Sequence, residues 1–545
     1  MDPSSNSTDA LNTTSLSFVV TGQERHTNTR NEIGELPTEL LVNIFSQASG
    51  LCGRYHVDTR SSEPYVPRLQ IMAQVCRRWR EIINGAPELW TFVTDKDRAN
   101  IIMVLDRSRA HPIGLSFRDQ PIDKSLYATV LNHSHRWVRA SIEVDRHDQE
   151  VLRRLEEVDV PMLQHLVLEI PALNRHSIFI LDLFRDHPPQ LTSLTLIEVA
   201  IRRWDSPVFG PRLHELKLIR IRTSGPTLET LRSILRACPE LAHLELKMVA
   251  LSNEINGLLL QAPIVQLPLL HTLVLKQLSP TDTIDILRTV ETPHCRSYTI
   301  SINSRNLDST RFSRVTERIQ QPFKACIYSC RTLEMRINDF CVQIICKSDQ
   351  SLSSDFDLNF GCGDSNEQVL NWLKNMLLVR RPPLSPIPVD LHLEYSNISS
   401  SSPLPSHLHQ LPDVRSLSIT CLHGWIHHLV EALSIPRDAE QGYTVWMWPS
   451  MREVIVKTFD GPSPALLHMV ETRMKAASLR RGPGGTGEIV MLERLGIGEE
   501  VFTLEDFGAV RAVIRDVIVV APPTRSSSAR TLQAFFQSLL AAQMT

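Results

Sequence analysis

Residues 227–249 read TLETLRSILRACPELAHLELKMV, and this stretch holds one complete unit of the chain's architecture. Leu228, Leu231, Ile234 and Leu235 recur at helical spacing, so the first half predicts an amphipathic helix. Pro239 lacks an amide proton and clashes with a preceding helical turn, so the helix stops before it. Leu241, Leu244 and Leu246 then follow in the form Leu-x-x-Leu-x-Leu. Alternation along a strand puts Leu244 and Leu246 on one side, and His243 and Glu245 on the other. The same form begins at Leu163, Leu191, Leu213 and Leu270, so the five copies are separated by 28, 22, 28 and 29 residues. Each copy predicts strand, loop and helix, with apolar sides that are covered only when the next unit stacks on them. An α/β solenoid with a parallel sheet follows. Weaker echoes continue at Leu333, Met335 and Ile337, at Val389, Leu391 and Leu393, at Val414, Leu417 and Ile419, and at Met451, Val454 and Val456.

The N-terminal region is built differently. IGELPTELLVNIF, residues 33–45, predicts a short helix after Pro37 with Leu40, Leu41, Ile44 and Phe45 at helical spacing. IMAQVCRRWREIINGAPELWTFV, residues 71–93, belongs to a second helix that starts near Arg68, just after Pro67, and is ended by Pro87. Its apolar stripe is Ile71, Met72, Val75, Trp79, Ile82 and Ile83, with Val75 and Trp79 expected to pack between helices. Leu-Pro before Leu-Leu-x-x-Ile-Phe, then Val-Cys-x-x-Trp, then Pro-x-Leu-Trp, resembles the F-box, the helical module that docks on the Skp adaptor of cullin-RING ubiquitin ligases. The resemblance implies Leu36, Pro37, Leu40, Leu41 and Ile44 as adaptor contacts, and it implies that Trp90 packs where the F-box meets the repeats. The polar stretch 49–67 is longer than the connection in more compact F-boxes and is expected to loop out.

The five copies resemble leucine-rich repeats, whose period is roughly 20 to 29 residues. They depart from that pattern where an Asn or Cys usually ties consecutive turns together, since Val199, Ile221, Val249 and Leu278 stand there. Irregular repeats are therefore expected. Taken together, the chain resembles the F-box proteins with degenerate leucine-rich repeats that are expanded in mushroom-forming (basidiomycete) fungi. Residues 1–32, rich in Ser, Thr and Asn and without periodic apolar positions, are expected to be a disordered tail, followed by an F-box at 33–95 and a leucine-rich-repeat-like solenoid at 96–545. A capping helix with Leu532, Phe535, Phe536, Leu539 and Leu540 on one face would close the last part. The resemblance further implies a target-recognition subunit of a Skp-cullin-F-box ligase that performs no bond chemistry, so the catalytic residues lie in its partners. A repeat scaffold that no longer engages the adaptor is the alternative.

For target binding, the strand positions between the leucines supply His165, Glu215, Lys217, His243 and Glu245, with Thr195 and Thr272 among them. Their mixed charge suits a protein better than nucleic acid, whose phosphates call for a basic stripe. With 57 Lys and Arg against 60 Asp and Glu, the net charge of -3 provides no global basic field for nucleic acid or an anionic membrane. No apolar run reaches the roughly 18 residues of a spanning helix, and the N-terminus lacks the pattern of a secretory signal. An intracellular protein, cytoplasmic or nuclear, is expected.

The ten cysteines show no C-x-x-C pairs, and Cys326, Cys330, Cys341 and Cys346 read as reduced core residues. RGPGGTGE at 481–488 lacks the Lys and hydroxyl residue of a phosphate-binding loop. His423 and His427 in HGWIHH lack both the Glu of a metalloprotease helix and a third ligand. No metal, cofactor or catalytic group is expected.

Overall fold

The computed structural model describes residues 36–50, 66–118, 124–145, 148–171, 180–184, 189–221, 225–251, 263–303, 309–338, 341–347, 355–361, 389–396, 414–421, 426–434, 450–458, 463–479, 491–498 and 516–520. A few shorter pieces between 369 and 514 are described as well. The expectations for 1–32, for most of 49–67, for 481–488 and for the capping helix lie outside the described residues. The chain divides into two compact units, Met1–Leu89 and Trp90–Thr545.

The first unit is helical. Helix α1, Thr38–Ala48, starts from Pro37, whose carbonyl accepts from the Leu41 amide at 3.1 Å. Its end is closed by Gly50 at φ 79, a left-handed conformation that lets the Gly50 amide reach the Gln47 carbonyl at 2.9 Å. The second predicted helix is two helices, α2 at Val66–Val75 and α3 at Arg77–Gly85. Cys76 breaks them: it is extended (φ -156, ψ 168), and its Sγ accepts the Trp79 amide as an N-cap. Arg80 Nε donates to the Ala73 carbonyl at 3.1 Å, satisfying one of the acceptors that the break leaves open. The single apolar stripe is thereby divided, so Ile83 is buried while Ile71 and Val75 are exposed.

Among the described residues the second unit has one 17-stranded sheet, three two-stranded pairs and helices. Its first strands are β1 (Phe92–Thr94), β2 (Ile113–Phe117), β3 (Trp137–Glu143), β4 (His165–Glu169), β5 (Ser193–Ile197), β6 (Glu215–Ile219), β7 (His243–Lys247), β8 (Thr272–Leu278) and β9 (Ser297–Asn303). Each of these pairs in parallel with the next. β1, counted with the F-box in the sequence, thus belongs to the sheet. The later strands are β10 (Thr332–Asn338), β11 (Cys341–Lys347), β12 (Asp355–Gly361), β13 (Val389–Ser396), β14 (Val414–Cys421), β15 (Glu453–Thr458), β16 (Arg494–Gly498) and β17 (Asp516–Val520).

Here the order inverts. β12 returns to pair with β9, β11 runs antiparallel between β12 and β10, and β10 pairs in parallel with β13, after which the order is sequential to β17. The sheet is therefore mixed, with one reversed strand in an otherwise parallel array.

Leu166, Leu194, Leu216, Leu244 and Leu273 stand directly opposite one another on adjacent strands, and all are buried. The file continues through Tyr298, Phe356, Cys346, Leu333, Leu391 and Leu417, so it passes across the inversion without a gap. Cys326, on the helix Ser309–Ser329, and Cys330, just past its end, meet Cys346 there, and all three are buried.

The corner after each strand explains how the units join without the missing Asn. Glu198, Arg220, Met248 and Gln277 each lie four residues beyond a ladder leucine and have φ of 60, 58, 54 and 55. Left-handed backbone costs a non-glycine residue roughly 1–2 kcal/mol. It turns the chain so that Val199, Ile221, Val249 and Leu278 enter the interior, where all four are buried. The amides of Glu198, Arg220 and Met248 meanwhile bond the carbonyls of Ile219, Lys247 and Lys276 on the next strand. Backbone ties take the place of a side-chain ladder.

Helix α4, Leu228–Ala237, follows the sequence reading, capped by Thr227 and burying Leu231, Ile234 and Leu235. The 22-residue step is a correction: between β5 and β6 the chain forms turns and the two-residue strand Ala200–Ile201, with no helix. Too few residues remain for one, and the stacked rings of Trp204 and Phe209, 6.0 Å apart, fill that layer.

Candidate functional surfaces

In the first unit, α1 sorts its apolar residues by spacing. Leu41 and Phe45, four apart, are fully buried, and the Phe45 ring meets Trp79 edge-on at 4.8 Å. Leu40 and Ile44, also four apart, lie on another face and are 50% and 45% exposed. Ile71 and Val75 repeat this on α2 at 63% and 61% exposure. Nine large apolar side chains are strongly exposed among the described residues, and these four fall within the short first unit. That concentration makes them a candidate contact surface, whereas single exposed leucines elsewhere need no explanation.

The approach to α1 is fixed by Arg78, which donates to the Leu36 carbonyl at 2.6 Å. Leu36 is half-buried and Pro37 exposed, so this bond holds the Leu-Pro turn while leaving the proline ring accessible. Two expectations change. Leu41, implied as an adaptor contact, is core, because its position four before Phe45 turns it inward. Val75, expected between helices, is exposed because α2 ends at it. Arg78 lies outside the apolar stripe, and no local sequence pattern reveals its partner 42 residues away.

In the second unit, His165, Glu215, Lys217, His243 and Glu245 occupy the side of the sheet opposite the leucine file, and all five are half-buried. Four of them are set in two charged pairs on the sheet. Lys217 Nζ lies 2.9 Å from Glu215, Ser193 Oγ donates to Glu215 at 2.5 Å, and His243 Nε2 stands 3.9 Å from Glu245. Burial acts to raise the Glu215 carboxyl, but the Ser193 hydroxyl and Lys217 outweigh it and hold the group below the usual glutamate range. The His243 ring does the same for Glu245. Burial, with help from Arg139, lowers His165 and favours its neutral ring. Further along, Glu169 accepts from both Arg118 at 2.8 Å and Arg220 at 2.7 Å. Trp90 is buried with the Arg107 guanidinium 4.4 Å over its ring.

Among the described residues no group of three His, Cys, Asp or Glu is placed to hold a metal ion, and no helix is long and apolar enough to cross a membrane. The side chains of His423, His427 and His428 lie outside the described residues.

The family model described as F-box-like matches residues 33–96. The chain carries an F-box-like domain. This domain covers α1 to α3, the Leu36-Pro37 turn and β1, and so includes the four exposed apolar residues. No curated protein matches the chain.

Proposed function

We propose that this protein is the target-recognition subunit of a Skp-cullin-F-box ubiquitin ligase, working in the cytoplasm or nucleus. The F-box-like domain docks on the Skp adaptor, and the sheet, read as a solenoid of irregular leucine-rich repeats, holds a protein target. The observation that carries this reading is the set Leu40, Ile44, Ile71 and Val75, left exposed inside the segment that matches the F-box-like family. Leu36 and Pro37 complete the contact, with Arg78 positioning them. The protein performs no bond chemistry. It raises the effective concentration of the ubiquitin-loaded enzyme near a target lysine by holding both at once.

Outer-face residues His165, Glu215, Lys217, His243 and Glu245 contribute to target contact from β4, β6 and β7. Adaptor docking is tested by co-purification of the full chain with the Skp adaptor. Leu40→Asp with Ile44→Asp should abolish capture, because two charges buried unpaired in an apolar contact cost several kcal/mol in total. Both positions are exposed, so the variant keeps its fold. Undiminished capture would reject the docking assignment, and absence of capture by the wild-type chain would favour the scaffold that no longer engages the adaptor.

A further inference from the structure

Beyond the inversion, the outer face of the sheet contains a cavity of about 310 Å³ lined by Lys347, Glu334, Arg336, His392, Ser418 and Lys457, among others. It lies over β11, β10, β13, β14 and β15. Two irregularities bring its cations there. Lys347 is the last residue of β11, the one antiparallel strand, and sits opposite Thr332. Lys457 is passed over in the register between β14 and β15, where Ile419 pairs with Val456 and Thr420 with Thr458. That is a bulge, a device that re-aims a side chain.

The charges inside the cavity are not equivalent. Arg336 is shared by Glu334 and Glu394, with its Nε 2.7 Å and 3.1 Å from their carboxylates. Lys347 and Lys457 are exposed and make no ion pair among the described residues. Between them lie the His392 ring, paired in register with Glu334 and Ser418, and the hydroxyls of Thr332, Ser418 and Thr420. Burial first, and Lys457 and Lys347 after it, keep His392 below its ordinary pKa, although Glu334 and Asp390 act in the opposite sense. It is a neutral hydrogen-bonding floor and not a third cation.

Geometry narrows the ligand. From β11 to β15 the sheet advances four strands, about 19 Å at roughly 4.8 Å each. A single inorganic anion covers only a fraction of that span. An extended peptide carries side chains of one face about 6.8 Å apart, so carboxylates two or four residues apart can meet both rims.

We infer that this cavity is a binding site for an acidic peptide segment, laid across the strands with its carboxylates on Lys347 and Lys457. The inference deepens the target-recognition half of the proposed function and rests on that reading. Its test needs no adaptor, so failure here is distinguishable from failure of docking.

The full-length chain is titrated with a fluorescent peptide that alternates Asp and Gly, with a matched Lys and Gly peptide, and with inorganic phosphate as competitor. The acidic peptide should bind and the basic one should not. Lys347→Ala and Lys457→Ala together should weaken binding more than tenfold, each alone by a smaller factor. Lys276→Ala, on the outer face of β8, should leave it unchanged, and added salt should weaken it. Absence of acidic-peptide binding at millimolar concentration, binding unchanged in the double variant, equal loss in Lys276→Ala, or full displacement by equimolar phosphate would each overturn the assignment. Circular dichroism of the variants confirms that folding is intact.

Discussion

From β4 to β8 the chain repeats itself, and from β9 to β13 it does not. In the first stretch five strands follow in sequence order, each presenting a leucine to the same file, and the outer-face charges close on their neighbours, as Lys217 does on Glu215. In the second, the hairpin of β10 and β11 and the return of β12 reverse the order, yet the buried file continues through Phe356, Cys346 and Leu333. The inner face tolerates a change of strand direction because alternation keeps one side apolar in either direction. The outer face does not tolerate it equally, since the reversed strand ends in Lys347 and leaves a cation without a partner on the next strand. Regularity gives closed pairs, and its interruption opens a site.

The largest effects should come from the shared inner file. Leu244→Ala should destabilise the second unit by about 2–5 kcal/mol, because the residue is fully buried between Leu216 and Leu273. Leu333→Ala, flanked by Cys346 and Leu391, should fall in the same range, read by denaturant unfolding. A much smaller value at Leu333 would mean that the inversion uncouples the two halves.

Gly225→Ala probes the regular stretch at one close approach. A Cβ there would lie 2.1 Å from the Ala250 carbonyl oxygen, a backbone atom that cannot swing aside. A loss of roughly 1–3 kcal/mol is expected, and a thermal melt unchanged from wild type would contradict the packing described.

The closed pairs predict an acid response. The Glu215 and Glu245 carboxyls titrate below their ordinary value of 4.5, so on acidification the unfolded chain takes up protons first. Their contribution is present above pH 4.5 and is lost as pH falls through the lower folded values. Unfolding measured across that window should be less steep in Glu215→Gln, and an identical profile would remove the pair from the account. The smallest effect is expected at Arg494, whose half-exposed guanidinium lies 3.1 Å from Glu453. Arg494→Ala should cost about 0.2–1 kcal/mol in the same assay.

How much of this was legible in the sequence follows from the same contrast. The five Leu-x-x-Leu-x-Leu segments coincide with β4 to β8, and the four weaker echoes coincide with β10, β13, β14 and β15. β2 and β3, written IGLSF and WVRASIE, put Leu115 with Phe117 and Ala140 with Ile142 where the repeat has its leucine pairs, so the Leu-x-x-Leu-x-Leu form did not mark them as sheet. The inversion was invisible because CVQIICK alternates like any half-buried strand and pairing order is not written in alternation. In the F-box-like domain the helices were legible from spacing, while the break at Cys76 was hidden because the apolar period runs through it. Leu40 and Leu41 show the limit most simply. Adjacent identical residues read alike in sequence, and the helix turns one out and the other in.

The proposed division of labour between a docking domain and a target-holding sheet is tested most directly by hydrogen exchange on the full chain with and without the Skp adaptor. Bound adaptor should slow exchange in α1 and α2, around Leu40, Ile44, Ile71 and Val75, and leave β4 to β8 unchanged. Protection confined to the sheet, or none in α1 and α2 at saturating adaptor, would contradict it.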